Sequence, residues 1–368
     1  MKIGIYARPL SVMGGIREFI LSMTQSLIRV MDSKDKLYIF HNQTEKYFET
    51  PEKTHVTEIL LKSKNRIICD FLLFPILSRK FHLDVIWFPK NVLPFFVQSR
   101  SIVTIHDLAY FLPSLNAYPV IDTQYMTRMI RRTCKRADAV IAVSSHTKKD
   151  LISLLKMDAK KVSVIYEAVD REKFRVIDDK SRLEKVREKY DLGEKIILFT
   201  GSISPRKNLI RLIQAFQMIA SLLPHDLVIT GDKGWKNTKD HLLINRNRRI
   251  KKIGFVPEKE ITCLYNLADI YVYPSLYEGF GLPVLEAQAC GVPVIASNVT
   301  SIPEVGMDSV CYANPTSVHS LAEAILKVAS DRKFREFLIR KGFKNILKFN
   351  WDNGARALLK VCAETMDK

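Results

Sequence analysis

Short β-branched and aromatic runs recur along the chain, each followed by a stretch of helical period. "KIGIYA", "KLYIF", "HVTEILL", "DVIWF", "SIVTI", "DAVIAVSS" and "KVSVIY" read as buried strands, and "IREFILSMTQSLIRVM" carries the i, i+3, i+4 spacing of an amphipathic helix. This alternation predicts an α/β fold with a parallel, doubly wound sheet. A charged, weakly periodic stretch, 170–194, then interrupts the pattern and is read as a linker. The alternation resumes with "KIILFTG", "DLVITG", "IKKIGF", "DIYVYPS", "PVIAS" and "SVCYA", which predicts a second domain of the same class. The expected organisation is 1–172, 173–348 and a last helix in 349–368, "WDNGARALLKVCAETM".

Length and composition agree with two globular domains: 368 residues, 47% hydrophobic and 26% charged. No uncharged apolar run approaches the roughly 18 to 20 residues of a membrane span, and "MKIGIYARPL" lacks a signal-peptide apolar core, so a cytoplasmic location is expected. Six cysteines at 69, 134, 263, 290, 311 and 362 form no C-x-x-C pair, which fits reduced thiols better than a disulfide frame or zinc site. The net charge of +18 implies an acidic partner. The basic residues cluster in "KSKNR", "RMIRRTCKR" and "NRNRRIKK" without the interleaved aromatics of a single-strand nucleic-acid platform, so nucleic acid is not expected. "TRMIRRTCKRADAV" reads as a helix with a basic face running into a strand, either a patch for an anionic membrane surface or a solvated face.

Four places put chemistry where open α/β sheets bind ligands, at the carboxyl ends of strands. "YPSLYEGFGLPVLEAQACGVPVIAS" reads as strand, glycine-rich loop and helix, with Glu278 in the loop and Glu286 about one turn into the helix. The apolar neighbours of Glu286 leave no sign of a solvated stripe, so both carboxylates are expected to face one crevice. In "LFTGSISPRKNLIRLIQAF", Arg206 and Lys207 stand before a helix start, where two cations oppose the dipole unless an anion is shared there. Gly14 and Gly15 fall between the first strand and its helix, where backbone N–H groups can approach a phosphate. In "VTIHDLAY", His106 and Asp107 follow an apolar strand.

"GSISPRKN", "GDKGW", "GFVPEKE" and the glutamate loop, with "GGIREF" and "VTIHDL", resemble the retaining nucleotide-sugar glycosyltransferases of family four, across nearly the whole chain and in the right order. Within that family "PRKN" with "GDKGW" is most similar to mannosyltransferase-like members that build bacterial surface polysaccharide. The resemblance implies a GT-B architecture, two Rossmann-like domains facing across a cleft, an acceptor-binding amino-terminal domain and a nucleotide-sugar-binding carboxyl-terminal one, with the last helix packing back on the first. It implies that Glu278 contacts the donor sugar and Glu286 the ribose. The backbone from Gly279 through Phe280 and Gly281 to Leu282 would meet phosphate. Arg206 and Lys207 would hold the diphosphate, Gly15 would approach it from across the cleft, His106 would lie beside the sugar, and the Val256 backbone would contact the base. Two departures stand out: "EAVD" at 167–170 where many relatives have Asn-Gly-Val-Asp, and Ser202 where many have Arg, which leaves more to Arg206.

The implied reaction moves a hexose from a GDP- or UDP-linked donor to a glycan or lipid-linked acceptor with no further cofactor. No Asp-x-Asp occurs in the chain, so no metal is expected and fixed cations must neutralise the leaving diphosphate. Two alternatives stay open: another GT-B enzyme, such as a sugar-nucleotide epimerase or phosphorylase, and a non-enzymatic nucleic-acid-binding protein. The first is separated by assaying transfer against epimerisation, the second by a steep salt slope on RNA or DNA.

Overall fold

A computed structural model of the chain describes residues 1–11, 14–43, 47–48, 55–231 and 247–367. Two parallel sheets organise them. The first contains β1 (Lys2–Tyr6), β2 (Lys36–His41), β3 (His55–Leu60), β4 (Val85–Phe88), β5 (Arg100–Ile105), β6 (Ala139–Ala142) and β7 (Val162–Val164), in the order β3-β2-β1-β4-β5-β6-β7. The second contains β8 (Ile196–Thr200), β9 (Asp226–Thr230), β10 (Ile250–Gly254), β11 (Ile270–Tyr273), β12 (Val294–Ser297) and β13 (Cys311–Ala313), in the order β10-β9-β8-β11-β12-β13. Central strands such as β4 and β11 are buried at every position, which is why they read as continuous apolar runs, whereas the edge strand β3 is largely open to solvent. In each sheet the chain winds outward one way and then returns to wind the other. The reversal falls between β1 and β4 in the first sheet and between β8 and β11 in the second. Such switch points leave a crevice at the strands' carboxyl ends.

The chain divides into two compact units. One comprises Met1–Phe111, Ile121–Glu167 and Asn350–Lys368; the other comprises Leu112–Val120 and Ala168–Phe349. The carboxyl-terminal helix Trp351–Met366 lies on the first unit's helix Gly15–Val30, with Trp351 edge-on to Phe19 at 5.7 Å between ring centres and Arg29 Nη2 to Asp352 Oδ1 at 2.8 Å. Asn350 caps its start by accepting from the N–H groups of Asp352 and Asn353. Gly354 allows the close approach, since a Cβ there would stand 3.1 Å from Met23 Cε.

The stretch read as a linker carries structure of its own. Asp179 caps a helix, Lys180–Lys189, that is polar on nearly every face and is fixed to the helix Glu258–Leu267 by charge: Lys189 Nζ donates to both oxygens of Glu260, Tyr190 Oη to one of them, and Arg182 Nη2 to the Lys259 carbonyl. A helix without an apolar stripe hides its partner from periodicity, and ion pairs supply the attachment instead. All six cysteines are buried and unpaired, and burial pushes the Cys134 thiol up to about 12.

Candidate functional site

The second unit builds its site at the β8/β11 switch point. After β8 the chain makes a 3-10 turn, Pro205–Lys207, and Asn208 then takes a left-handed conformation (φ 60°) before the helix Leu209–Ile219. Asn208 earns that position through its amide, which donates to the carbonyls of Pro274 and Pro315 at 2.9 and 2.6 Å. The Leu276 N–H donates to the Arg206 carbonyl at 2.8 Å, so the turn after β8 is stitched to the loop after β11. Arg206, Lys207 and Glu278 thereby meet. Arg206 Nη1 donates to Glu278 Oε2 at 2.6 Å and to the Tyr277 carbonyl at 2.8 Å; Lys207 Nζ lies 2.8 Å from Glu278 Oε1 and 3.0 Å from Tyr273 Oη.

Glu278 is 7% exposed and Lys207 9%. Burial alone would push the Glu278 carboxyl up; the charges of Arg206 and Lys207 outweigh it and hold the group at about 2. The carboxylate is therefore ionised at any physiological pH, and it is the anion that the two cations at the helix start require. One carboxylate between two cations leaves the cluster with an excess positive charge, suited to a further anion.

Between the two glutamates the backbone is locked from outside. Ser301 Oγ donates to the carbonyls of Glu278 and Phe280 at 2.9 and 2.8 Å, and the Glu278 N–H donates to Thr300 Oγ1 at 3.2 Å. The Phe280 ring is buried, edge-on to Phe349. Gly281, at φ 112°, is the residue before the helix Leu282–Ala289, a conformation that a side chain would strain. Glu286 is half-buried on that helix and accepts from Tyr265 Oη at 2.9 Å; Thr200 Oγ1 joins Tyr265 and Tyr271 at 3.1 and 2.9 Å. Burial first, and Glu286 second, raise the Tyr265 hydroxyl well above its ordinary range, so it stays a donor and fixes the carboxylate's position. Val256 is buried in the turn that follows β10.

The first unit places His106 directly after β5. Its Nδ1 faces Glu167 Oε1 at 3.1 Å and its Nε2 faces the Pro89 carbonyl at 2.8 Å, while Phe19 packs edge-on to the ring at 4.8 Å. Both ring nitrogens meet acceptors, so only the imidazolium satisfies both. Burial lowers the His106 pKa, and hydrogen bonding and charge from Glu167 more than reverse that, leaving it raised. Gly14 and Gly15 open the helix Gly15–Val30 that carries Phe19, and a Cβ on either would meet open space among the described residues.

Of the residues singled out in the sequence, Arg206, Lys207 and Glu278 come into direct contact, and Gly279, Phe280, Gly281, Leu282 and Glu286 follow on the same loop and helix. Val256 stands in the same unit on a different turn; His106, Gly14 and Gly15 belong to the first. From "GDKGW" onward, 232–246 lie outside the described residues. Sequence reasoning missed Glu167, Tyr265, Tyr273, Thr300 and Ser301. Glu167 was visible only as a departure from a familiar run, with no signal that it meets a histidine 61 positions away.

Residues 14–173 match the family model described as Glycosyltransferase Family 4, and 181–345 match Glycosyl transferases group 1. The O-antigen chain mannosyltransferase B of Escherichia coli is 32% identical over 260 residues, 69% of this chain and 68% of that protein. The chain belongs to glycosyltransferase family four. The serotype-specific mannosyltransferase WbdA of Escherichia coli is also 32% identical, over 71% of this chain but only 33% of its own length. Among solved structures, Anabaena Alr3699/HepE in complex with UDP-glucose superposes on this glycosyltransferase with a TM-score of 0.75 at 17% identity, covering 99% of this chain and all of that one. Sucrose-phosphate synthase from Thermosynechococcus elongatus gives 0.76 at 18%, covering 99% and 98%. The two Rossmann-like units with their parallel sheets are thus those of the GT-B fold.

Proposed function

We propose that this glycosyltransferase moves a hexose, with retention of anomeric configuration, from a GDP- or UDP-linked donor to a glycan or lipid-linked acceptor of surface polysaccharide. The observation that carries the reading is the buried Arg206–Glu278–Lys207 cluster at the β8/β11 switch point. Mannose is the first sugar to test, since the mannosyltransferase relatives span about two thirds of the chain.

Departure of a nucleoside diphosphate builds negative charge on the leaving oxygens, and cations aimed there stabilise the transition state more than the ground state. Arg206 offers a planar fork and Lys207 a point charge, both already oriented by Glu278 and by the Tyr277 carbonyl and Tyr273 hydroxyl, so little reorganisation accompanies the reaction. Glu278, ionised and held by two cations, is a weak nucleophile and a good acceptor for sugar hydroxyls. Attack and departure on the same face of the sugar, with positioning as the main protein contribution, follows from that assignment. Glu286, held by Tyr265, offers its carboxylate to a ribose hydroxyl pair.

The test is nucleoside diphosphate release from GDP-mannose and UDP-glucose by the full chain, with product configuration read by NMR. Glu278→Gln should cost turnover about a hundredfold or more, and Glu286→Ala should mainly weaken nucleoside diphosphate binding, about tenfold. Equal effects of the two changes on nucleotide affinity, or conversion of the donor to its 2-epimer in place of transfer, would sink the reading.

A further inference from the structure

The strand β11 alternates two chemistries. Ile270 and Val272 join the apolar core of the second unit, with Ile197 and Phe199 of β8, whereas Tyr271 and Tyr273 point to the other face. The helix Glu258–Leu267 sets Tyr265 against that face, edge-on to Tyr271 at 5.2 Å between ring centres, and all three tyrosines are at most 1% exposed. Hydroxyls buried this deeply need partners, because an unpaired one is costly to keep out of water. Tyr273 finds its partner in the donor cluster, where it accepts from Lys207. The other two meet Thr200, the last residue of β8. Thr200 Oγ1 lies 3.1 Å from Tyr265 Oη and 2.9 Å from Tyr271 Oη, and Tyr265 Oη lies 2.9 Å from Glu286 Oε2.

The direction of these bonds follows from counting protons. A carboxylate only accepts, so the Tyr265 proton goes to Glu286. Tyr265 Oη must then accept from Thr200, and Thr200, its one proton used, must accept from Tyr271. The result is a directed chain from Tyr271 through Thr200 and Tyr265 to Glu286, in which each bond polarises the next. Burial raises both tyrosine hydroxyls above their ordinary range, so the chain keeps its protons. Glu286 is half-buried and the other three members are buried, so the chain ends on the one group a ligand can reach. A carboxylate held in one plane offers two oxygens to two adjacent hydroxyls, as on a ribose. A carboxylate free to turn serves one hydroxyl nearly as well as two.

We infer that Tyr265, Thr200 and Tyr271 are positioning residues that make this site select ribose over deoxyribose nucleoside diphosphates, by holding Glu286 in the plane that meets both hydroxyls. The inference rests on the proposed contact of Glu286 with ribose, and its test reads binding instead of turnover. The full chain is titrated by calorimetry with GDP and UDP, with their 2′-deoxy counterparts and with pyrophosphate. The unsubstituted chain should prefer the ribose form about tenfold or more, the worth of one hydrogen bond to a charged group. Tyr265→Phe, which keeps the ring, should reduce that preference to about twofold, and Thr200→Val, similar in shape but without a hydroxyl, should reduce it about threefold. Thr200→Ser, which keeps the hydroxyl, should retain the full preference. Pyrophosphate affinity should not change in any of the three, since its proposed contacts are Arg206 and Lys207. A Thr200→Val chain with undiminished preference, or a Tyr265→Phe chain that loses affinity for ribose, deoxyribose and pyrophosphate ligands alike, would show hydroxyls that serve packing only. Equal affinity of the unsubstituted chain for ribose and deoxyribose forms would overturn the inference and leave sugar transfer standing, whereas a chain that binds neither GDP nor UDP would remove both. A ribose preference that follows the hydroxyls in a chain that transfers no sugar would leave this inference standing and remove the proposed activity.

Discussion

At the scale of single residues, carboxylates in each unit have been given partners. Glu278 is set between Arg206 and Lys207, Glu286 accepts from a tyrosine, and Glu167 faces His106. The last pair has a consequence in pH. The ring of His106 is faced by Glu167, by the Pro89 carbonyl and by the edge of Phe19, with Asp107 adding negative charge from its own strand end. Its folded pKa is raised above 6.5, so the stabilisation from the charged pair is complete below that pH and is lost as pH rises through the raised value. Glu167→Gln should move the imidazole titration, followed by the NMR shift of its ring C–H, to lower pH and bring the loss of stability to lower pH with it. An unmoved titration would mean that the carboxylate does not govern this ring.

At the scale of elements, the loops after strands are fixed by backbone contact that side chains would prevent. Gly231 follows β9 at φ 134°, where a Cβ would come within 2.0 Å of the Gly201 carbonyl oxygen after β8. The Gly231 N–H in turn donates to the carbonyl of Gly254, the last residue of β10, at 2.8 Å, and the Gly201 N–H to the Thr230 carbonyl at 3.1 Å, so the ends of β8, β9 and β10 are tied together. Gly231→Ala is expected to cost about 2 kcal/mol or more, measured by urea unfolding, because backbone and not a flexible side chain must move. An alanine tolerated within 0.5 kcal/mol, the range of ordinary surface changes, would show that this contact is not required.

At the scale of the whole molecule, the question is what neutralises charge and what the basic surface meets. The described residues bring no three metal-ligating side chains together, and fixed cations stand where the leaving diphosphate is proposed to lie. Full activity in excess EDTA is the expected result; abolition by chelator with recovery on Mg²⁺ or Mn²⁺ would reveal a carboxylate site assembled from distant positions. Among the described residues no helix is long and apolar enough to cross a membrane. The helix Val120–Arg136 carries Arg128, Arg131, Lys135 and Arg136 on its exposed side, whereas Arg132 turns inward, donating to the Leu93 carbonyl at 2.9 Å and stacking on Phe95. Sign reversal of Arg128 and Arg131 should therefore abolish flotation with anionic liposomes at low salt without disturbing the fold, and a double variant that still floats would reduce the patch to a solvated face.

The central strands were legible from the chain because a parallel sheet buried on both faces demands uninterrupted apolar runs, and every run read as a strand, from "KIGIYA" to "SVCYA" and the open edge strand β3 included, became one. The glutamate loop was legible for a similar reason, since glycine, proline and strand end act within ten residues of one another. What the tertiary structure alone decided is pairing across distance. That the anion for Arg206 and Lys207 is Glu278, 72 positions from the arginine, depends on β8 and β11 lying side by side. That Glu167 charges His106 depends on the order of the first sheet. The 170–194 stretch hid a helix because its attachments are ionic and lie on another element. Local pattern records which face of an element is buried; it carries no record of which charge waits on the next strand.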